Sequence, residues 1–202
     1  MTDLFHFVRH GQTEDNRLGV RCGGDRDVPL TGLGVEQARR AAERFREAGG
    51  CCGLVIAGPL QRTAVTGALF AETLGVPLVG CDWLRERALG EWNGLPVALT
   101  RPWFAAGETP PGGESEEEFA ARVLDGVAAL RDRLADRPLL VGSKGVGRIL
   151  LHRLAGRPGV ELENCEVVAF ARQPGPAGMT AGWRCDHPEG SAQEAGPAGF
   201  AA

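Results

Sequence analysis

The chain is nearly devoid of lysine: of its 22 basic residues other than histidine, only Lys144 is not arginine. It has no apolar run near the ~20 residues needed to span a bilayer, which excludes a membrane-spanning helix. Its first residues, Met1-Thr2-Asp3, run directly into Leu4-Phe5-His6-Phe7-Val8. With no basic n-region and no cleavage site there, no signal peptide is expected. No charge of one sign dominates. Acidic residues number 26 and the net charge is −4, which leaves no electrostatic footprint for nucleic acid or an anionic membrane surface. Any anion must be held by a local pocket. Six cysteines are present, at 22, 51, 52, 81, 165 and 185, but none forms a C-x-x-C pair and no histidine lies at zinc-ligand spacing. The vicinal Cys51-Cys52 pair does not bridge easily. Reduced thiols in a cytoplasmic protein are the expectation.

What is present suits one domain with a full core: 202 residues, 43% hydrophobic and 24% charged. Leu4–Val8 is a short apolar segment that predicts a buried strand. A helix is expected from about Thr31, with Val35, Ala38, Ala42 and Phe45 at helical spacing and Gly49-Gly50 at its end. Leu54–Ala57 is a second strand, broken by Gly58-Pro59. A helix from Gln61 to Leu74, stopped by Gly75, and a short strand at Pro77–Val79 follow. The stretch from Asp82 to Pro111 reads as loops and short helices over one face. Ser115 with Glu118 forms a capping box, and the helix it opens carries Phe119, Val123, Val127, Leu130 and Leu134. Pro138–Val141 is a buried strand that turns through Gly142-Ser143-Lys144-Gly145 into a helix holding Val146, Ile149, Leu150 and Leu154. Glu166–Phe170 and Met179–Trp183 look like closing strands. Residues 188–202 are Gly-, Ala- and Pro-rich and read as a disordered tail, leaving a domain over 1–187.

Strands alternating with helices predict a mainly parallel α/β sheet covered on both faces, a three-layer sandwich. In such sheets ligands sit beyond the carboxyl ends of the strands. Three strand–turn–helix segments converge there: Val8-Arg9-His10-Gly11, Ala57-Gly58-Pro59-Leu60-Gln61-Arg62 and Val141-Gly142-Ser143-Lys144-Gly145. Each brings a cation or an imidazole to that edge.

The segment Arg9-His10-Gly11-Gln12-Thr13-Glu14-Asp15-Asn16, following an N-terminal strand, resembles the signature of the histidine phosphatase (phosphoglycerate mutase-like) superfamily. So do Asp27-Val28-Pro29-Leu30-Thr31 with Gly34, Gln37 and Ala38, and Pro59-Leu60 with Arg62 and Thr66. Leu84-Arg85-Glu86 with Gly90-Glu91-Trp92-Asn93-Gly94, then Pro111–Ser115, and Asn164 complete the pattern in family order over most of the chain. The resemblance implies a phosphomonoester hydrolase that uses neither metal nor cofactor and acts on a small phosphorylated metabolite. His10 is then the nucleophile that forms a phosphohistidine. Arg9 and Arg62 clamp the phosphoryl oxygens. Glu86 is the acid that protonates the leaving alkoxide. Asn16, Cys22, Gly23 and Gly145 fall at substrate-contacting positions. Dimers occur in the family, so a homodimer stays open. Mutases of the family carry a longer insertion after the acid, and an Arg-His-Tyr run; this chain has Glu86-Arg87-Ala88-Leu89-Gly90 and a short segment before Pro111, closer to the phosphatases.

Other residues have plainer readings. His6 reads as a core histidine, Arg85 and Arg87 as surface or rim charges, and Glu116–Glu118 as a solvated helix start. Glu91 is an alternative acid. Trp83, Trp92 and Trp103 either line the substrate pocket or pack.

One position departs from the family. Where a Ser-His-Gly-Gly run is usual, this chain has Ser143-Lys144-Gly145-Val146, so Lys144 replaces the second catalytic histidine. Loss of such a donor typically costs ~10²–10³ in rate. His152 lies eight residues on, about 12 Å along a helix, and the sequence does not place His187. Three readings follow: Lys144 as a substitute cation in a working phosphatase; a phosphate-binding pseudoenzyme; or a repurposed enzyme that uses Lys144 as base or nucleophile on a phosphorylated or carboxylated metabolite.

Overall fold

The computed structural model describes residues 3–173 and 182–186. In chain order these form β1 (Leu4–Arg9), α1 (Glu14–Leu18), α2 (Gly32–Glu47), β2 (Val55–Ala57), α3 (Gln61–Leu74), β3 (Leu78–Gly80), α4 (Val97–Ala105), α5 (Glu116–Ala129), β4 (Leu139–Gly142), α6 (Lys144–Ile149), β5 (Val167–Gln173) and β6 (Gly182–Asp186). The strands make one sheet in the order β3-β2-β4-β1-β5-β6. Its β3-β2-β4-β1 part is parallel, while β5 and β6 join antiparallel.

Alternation along the strands builds two cores. Phe5 and Phe7 of β1, Ile56 of β2 and Leu140 of β4 face the core shared with Phe119, Val123, Val146 and Ile149. Their neighbours Val8, Val55, Ala57, Leu139 and Val141 face the opposite core, with Ala38, Ala42, Phe45 and Phe70 of α2 and α3. Because side chains on a strand point alternately to the two faces, a strand apolar at every position needs helices on both sides. The three-layer sandwich satisfies that need.

Local signals set several boundaries. Thr31 caps α2 by accepting from the Gly34 N–H, and Ser115 and Glu118 form the reciprocal box that opens α5. Gly75 ends α3 with φ +68°, a conformation glycine adopts without a Cβ clash. One expectation needs correction. Leu150–Leu154 continues α6 as a wider π-helical turn, so Leu154 leaves ordinary helical register. Of the closing strand expected at Met179–Trp183, Gly182 and Trp183 lie in β6; residues 179–181 lie outside the described residues, as do His187 and the segment 188–202. The Asp82–Pro111 stretch does hold short helices, and α4 is a nine-residue helix with Pro102 inside it.

The register aligns the carboxyl ends of the parallel strands. Arg9 pairs with Gly142, and Ala57 with Val141. Beyond them, the His10 N–H donates to the Gly142 carbonyl at 2.9 Å and the Gly58 N–H to the Val141 carbonyl at 3.0 Å. The three turns singled out in the sequence therefore lie side by side.

Candidate active site

A cavity of about 750 Å³ opens at this edge. Arg9, His10, Asn16, Cys22, Arg62, Glu86, Lys144 and Gly145 all line it. Gly23 stands one step behind, its carbonyl accepting from Arg62 Nη2 at 3.0 Å. Seven cationic side chains and five carboxylates border the space, a local positive excess in a chain of net charge −4.

His10 sits at the centre, 4% exposed. Its Nδ1 lies 2.7 Å from the Gly11 carbonyl oxygen. A carbonyl only accepts, so Nδ1 carries the proton and Nε2 keeps its lone pair. Burial and the nearby Arg62 guanidinium push the imidazole pKa down to about 3; Arg9 acts in the same sense, against the Gly11 hydrogen bond. His10 is thus neutral at ordinary pH. The main chain around it is pinned: the Gly11 N–H donates to Thr66 Oγ1 at 3.2 Å, and Asn164 Nδ2 donates to the His10 carbonyl at 2.8 Å. A Cβ on Gly11 would come within 2.2 Å of the Gly34 carbonyl oxygen, so the start of α2 can press against this turn only if residue 11 is glycine.

Arg9 donates through Nη1 to the Leu162 carbonyl at 2.8 Å, while its buried Nε–H finds no partner among the described residues. Arg62 is 1% exposed and uses its two terminal nitrogens to hold the carbonyls of Arg26 and Gly23. A guanidinium has five N–H donors, so both arginines are fixed in direction with donors to spare.

Glu86 is held entirely by main chain. Its Oε2 accepts from the Gly145 N–H and its Oε1 from the Arg87 N–H, each at 2.7 Å. A Cβ on Gly145 would stand 2.1 Å from Oε1, so glycine is what lets the carboxylate reach the first turn of α6. The segment carrying Glu86 is itself clasped by Arg122 of α5, which donates to the carbonyls of Trp83 and Arg85 and pairs with Glu114.

Lys144 lines the cavity at the start of α6. Its Nζ lies 2.7 Å from Glu161 Oε2, and both side chains are about half exposed. Cys22 is no thiolate: burial pushes its thiol up to about 12.

Several plain readings need revision. Arg87 is buried, not a surface charge: it donates to the Glu114 carbonyl at 2.7 Å and pairs with Glu116 at 3.2 Å. Glu116 is more than a solvated helix start, since it lines the cavity and also pairs with Arg148 at 2.8 Å. Glu91 is exposed and does not line the cavity, whereas Glu86 does. None of the three tryptophans lines it. Trp92 packs on Trp103 and Phe104, and the phenylalanine rings that reach the cavity are Phe104 and Phe119. His6 is the core histidine expected, edge-on to Phe45. The sequence reading did not single out Arg101, Phe104, Glu161 or Glu163. One usable signal existed for α4: Val97, Arg101, Phe104 and Ala105 recur at i, i+4, i+7 and i+8, and that single face lines the cavity.

The combination of a neutral histidine, two fixed arginines and a carboxylate at the carboxyl edge of a parallel sheet defines an anion-handling site of phosphoryl-transfer type. Residues 5–175 match the histidine phosphatase superfamily, branch 1, and the chain belongs to that family. It is 29% identical over 150 residues to an uncharacterized phosphatase, PhoE, of Bacillus subtilis, covering 74% of this chain and 76% of the relative. It is 32% identical over 197 residues to a probable phosphoglycerate mutase, GpmB, of Proteus mirabilis, covering 88% of each. The structure of mycobacterial glucosyl-3-phosphoglycerate phosphatase in complex with VO3 superposes with TM-score 0.76 at 27% identity, over 91% of this chain and 97% of that one.

Proposed function

We propose that the protein hydrolyses a small phosphomonoester through a phosphohistidine on His10. The observation that carries this reading is the Nδ1 contact to the Gly11 carbonyl, which leaves the Nε2 lone pair available in a neutral imidazole flanked by Arg9 and Arg62. In the first step Nε2 attacks phosphorus, the P–O ester bond breaks, and the leaving alkoxide takes a proton from Glu86. In the second, water attacks phosphorus as the P–N bond breaks, and its proton returns to Glu86. The products are alcohol and inorganic phosphate. Arg9 and Arg62 offset the charge on the three phosphoryl oxygens throughout. Each Glu86 oxygen keeps a second lone pair beside its N–H bond, free for the proton that passes to the leaving group.

Lys144 takes the role of substitute cation in this scheme. Its Nζ is already paired with Glu161 Oε2 at 2.7 Å, which weighs against the repurposed-enzyme reading. Retention of His10, Arg9, Arg62 and Glu86 in one cavity weighs against a pseudoenzyme.

The test is phosphate release from a panel of phosphomonoesters by the wild type and by His10→Ala, with 3-phosphoglycerate assayed for both hydrolysis and isomerisation. Release that vanishes in the variant supports the proposal. Isomerisation without net release would favour a mutase. Equal release by both proteins would overturn the role of His10.

A further inference from the structure

Among the seven cations at the cavity, two pairs stand apart, while Arg87, Lys144 and Arg148 are each paired with a glutamate. The charges that act on His10 are those of Arg62 and Arg9. Arg21 and Arg101 are not among them; both line the cavity on the side walled by α4, where Arg21 feels the Glu86 carboxylate, Arg101 and Glu161. Arg21 is fixed without being neutralised. Its guanidinium lies 4.1 Å over the Phe104 ring, and its Nε donates to Thr100 Oγ1 at 2.7 Å. That leaves its terminal N–H groups without a hydrogen-bond partner among the described residues. Arg101, one turn along the cavity-lining face of α4 from Val97, makes no hydrogen bond or ion pair to any described residue. The carboxylates nearest to these two are already engaged: Glu86 by two backbone N–H groups, Glu161 by Lys144.

Two guanidiniums on one wall repel each other, and the repulsion is greatest when water is displaced from between them. An anion with two or three oxygens, held by forked N–H donors, reverses the sign of that interaction. A cavity of about 750 Å³ is of the size that accepts a whole small metabolite rather than a phosphoryl group alone. The rest of the α4 face, Val97, Phe104 and Ala105, is apolar. Arg87, 5.3 Å from the Phe104 ring, is already paired with Glu116, so the uncommitted positive charge at that wall is that of Arg21 and Arg101.

We propose that Arg21 and Arg101 form a second anion subsite, so that the substrate is a phosphomonoester bearing a further carboxylate or phosphate on the end that faces α4. This rests on the reading of the cavity as a phosphatase site. Phosphoryl transfer takes place at His10, and the α4 wall selects the group being released.

Matched probes test the subsite: 3-phosphoglycerate against glycerol 3-phosphate for a carboxylate, and fructose 1,6-bisphosphate against fructose 6-phosphate for a second phosphate. In the full-length wild type, kcat/KM for the member with the extra anion should exceed that of its partner by about tenfold or more in one pair, and the pair that responds identifies the anion. Arg101→Gln, at an exposed position that does not threaten folding, should cut that ratio about tenfold, chiefly through KM. Ratios near one in both pairs, or a ratio that Arg101→Gln leaves intact, would overturn the subsite. Calorimetric binding of the same four probes to His10→Ala, with and without Arg101→Gln, separates the two levels. If no ester is hydrolysed but the extra anion still tightens binding through Arg101, the phosphatase reading fails and the subsite stands. If esters are hydrolysed without discrimination and bind without it, the reverse holds.

Discussion

Replacing Gly145 by alanine perturbs Glu86, the acid of the proposed mechanism, without substituting it. The new Cβ would stand 2.1 Å from Glu86 Oε1 and 2.8 Å from its Cδ, so the carboxylate must swing away and give up the 2.7 Å bond from the Gly145 N–H. A hydrogen bond to a buried charged group contributes about 1.5–3 kcal/mol, and alanine in a helix returns up to about 1 kcal/mol over glycine. The net cost of about 0.5–2 kcal/mol corresponds to a fall in Tm of about 1–8 °C for a domain of this size. Catalysis should suffer more, and selectively. A positioned general acid supplies about 10²–10⁴ in rate, but only when the leaving group needs a proton. Gly145→Ala should therefore lower kcat/KM at least about 10²-fold for alkyl phosphates. It should lower it far less for p-nitrophenyl phosphate, whose leaving group departs as a stable anion. Measuring both esters on wild type and variant decides the matter. Equal losses on the two, or no loss on either, would refute Glu86 as the proton donor held by this contact.

Three further outcomes are expected. Burial, with a smaller contribution from Arg137, lowers the His6 pKa to about 4. The unfolded chain therefore takes up this proton first, and the stability the neutral ring contributes is full above about pH 6.5 and lost as pH falls toward 4, up to about 3 kcal/mol; urea unfolding of wild type and His6→Leu between pH 7 and 4.5 should show a shallower acid decline in the variant. Lys144→Ala should lower kcat/KM by about 10²–10³, with Lys144→His recovering most of it; an unaffected Lys144→Ala enzyme would remove Lys144 from the reaction. Glu161→Gln should free the ammonium and lower KM by up to about fivefold, the scale of a half-exposed ion pair, and a raised KM in steady-state assays would show instead that Glu161 holds Lys144 in its working position.

What could be read from the chain alone was whatever a few neighbouring residues decide. Thr31 with Gly34, and Ser115 with Glu118, carry their capping bonds within one turn, so α2 and α5 begin where the sequence says they do. Gly75 ends α3 through its own backbone freedom. Strands apolar at every position already required helices on both faces, and the three strand–turn–helix segments already required a shared edge. His10, Arg9, Arg62 and Glu86 were legible because each sits in a short motif of fixed spacing.

Tertiary structure decided what depends on residues far apart in sequence. Gly145 meets Glu86 from 59 positions away, and that contact comes from the packing of α6 against the loop after β3, not from any local pattern. The burial of Arg87 was invisible because its partners Glu114 and Glu116 come from the other side of a long excursion. Lys144 was conspicuous as the sole lysine, yet its partner Glu161 belongs to the approach to β5. The α4 wall was the hardest to foresee: its spacing marks one face of a helix, but only the fold determines that this face closes the cavity rather than a core. Capping, periodicity and turn chemistry act over a few residues, whereas the direction of a side chain into a site sums the twist of the sheet and the packing of every layer above it.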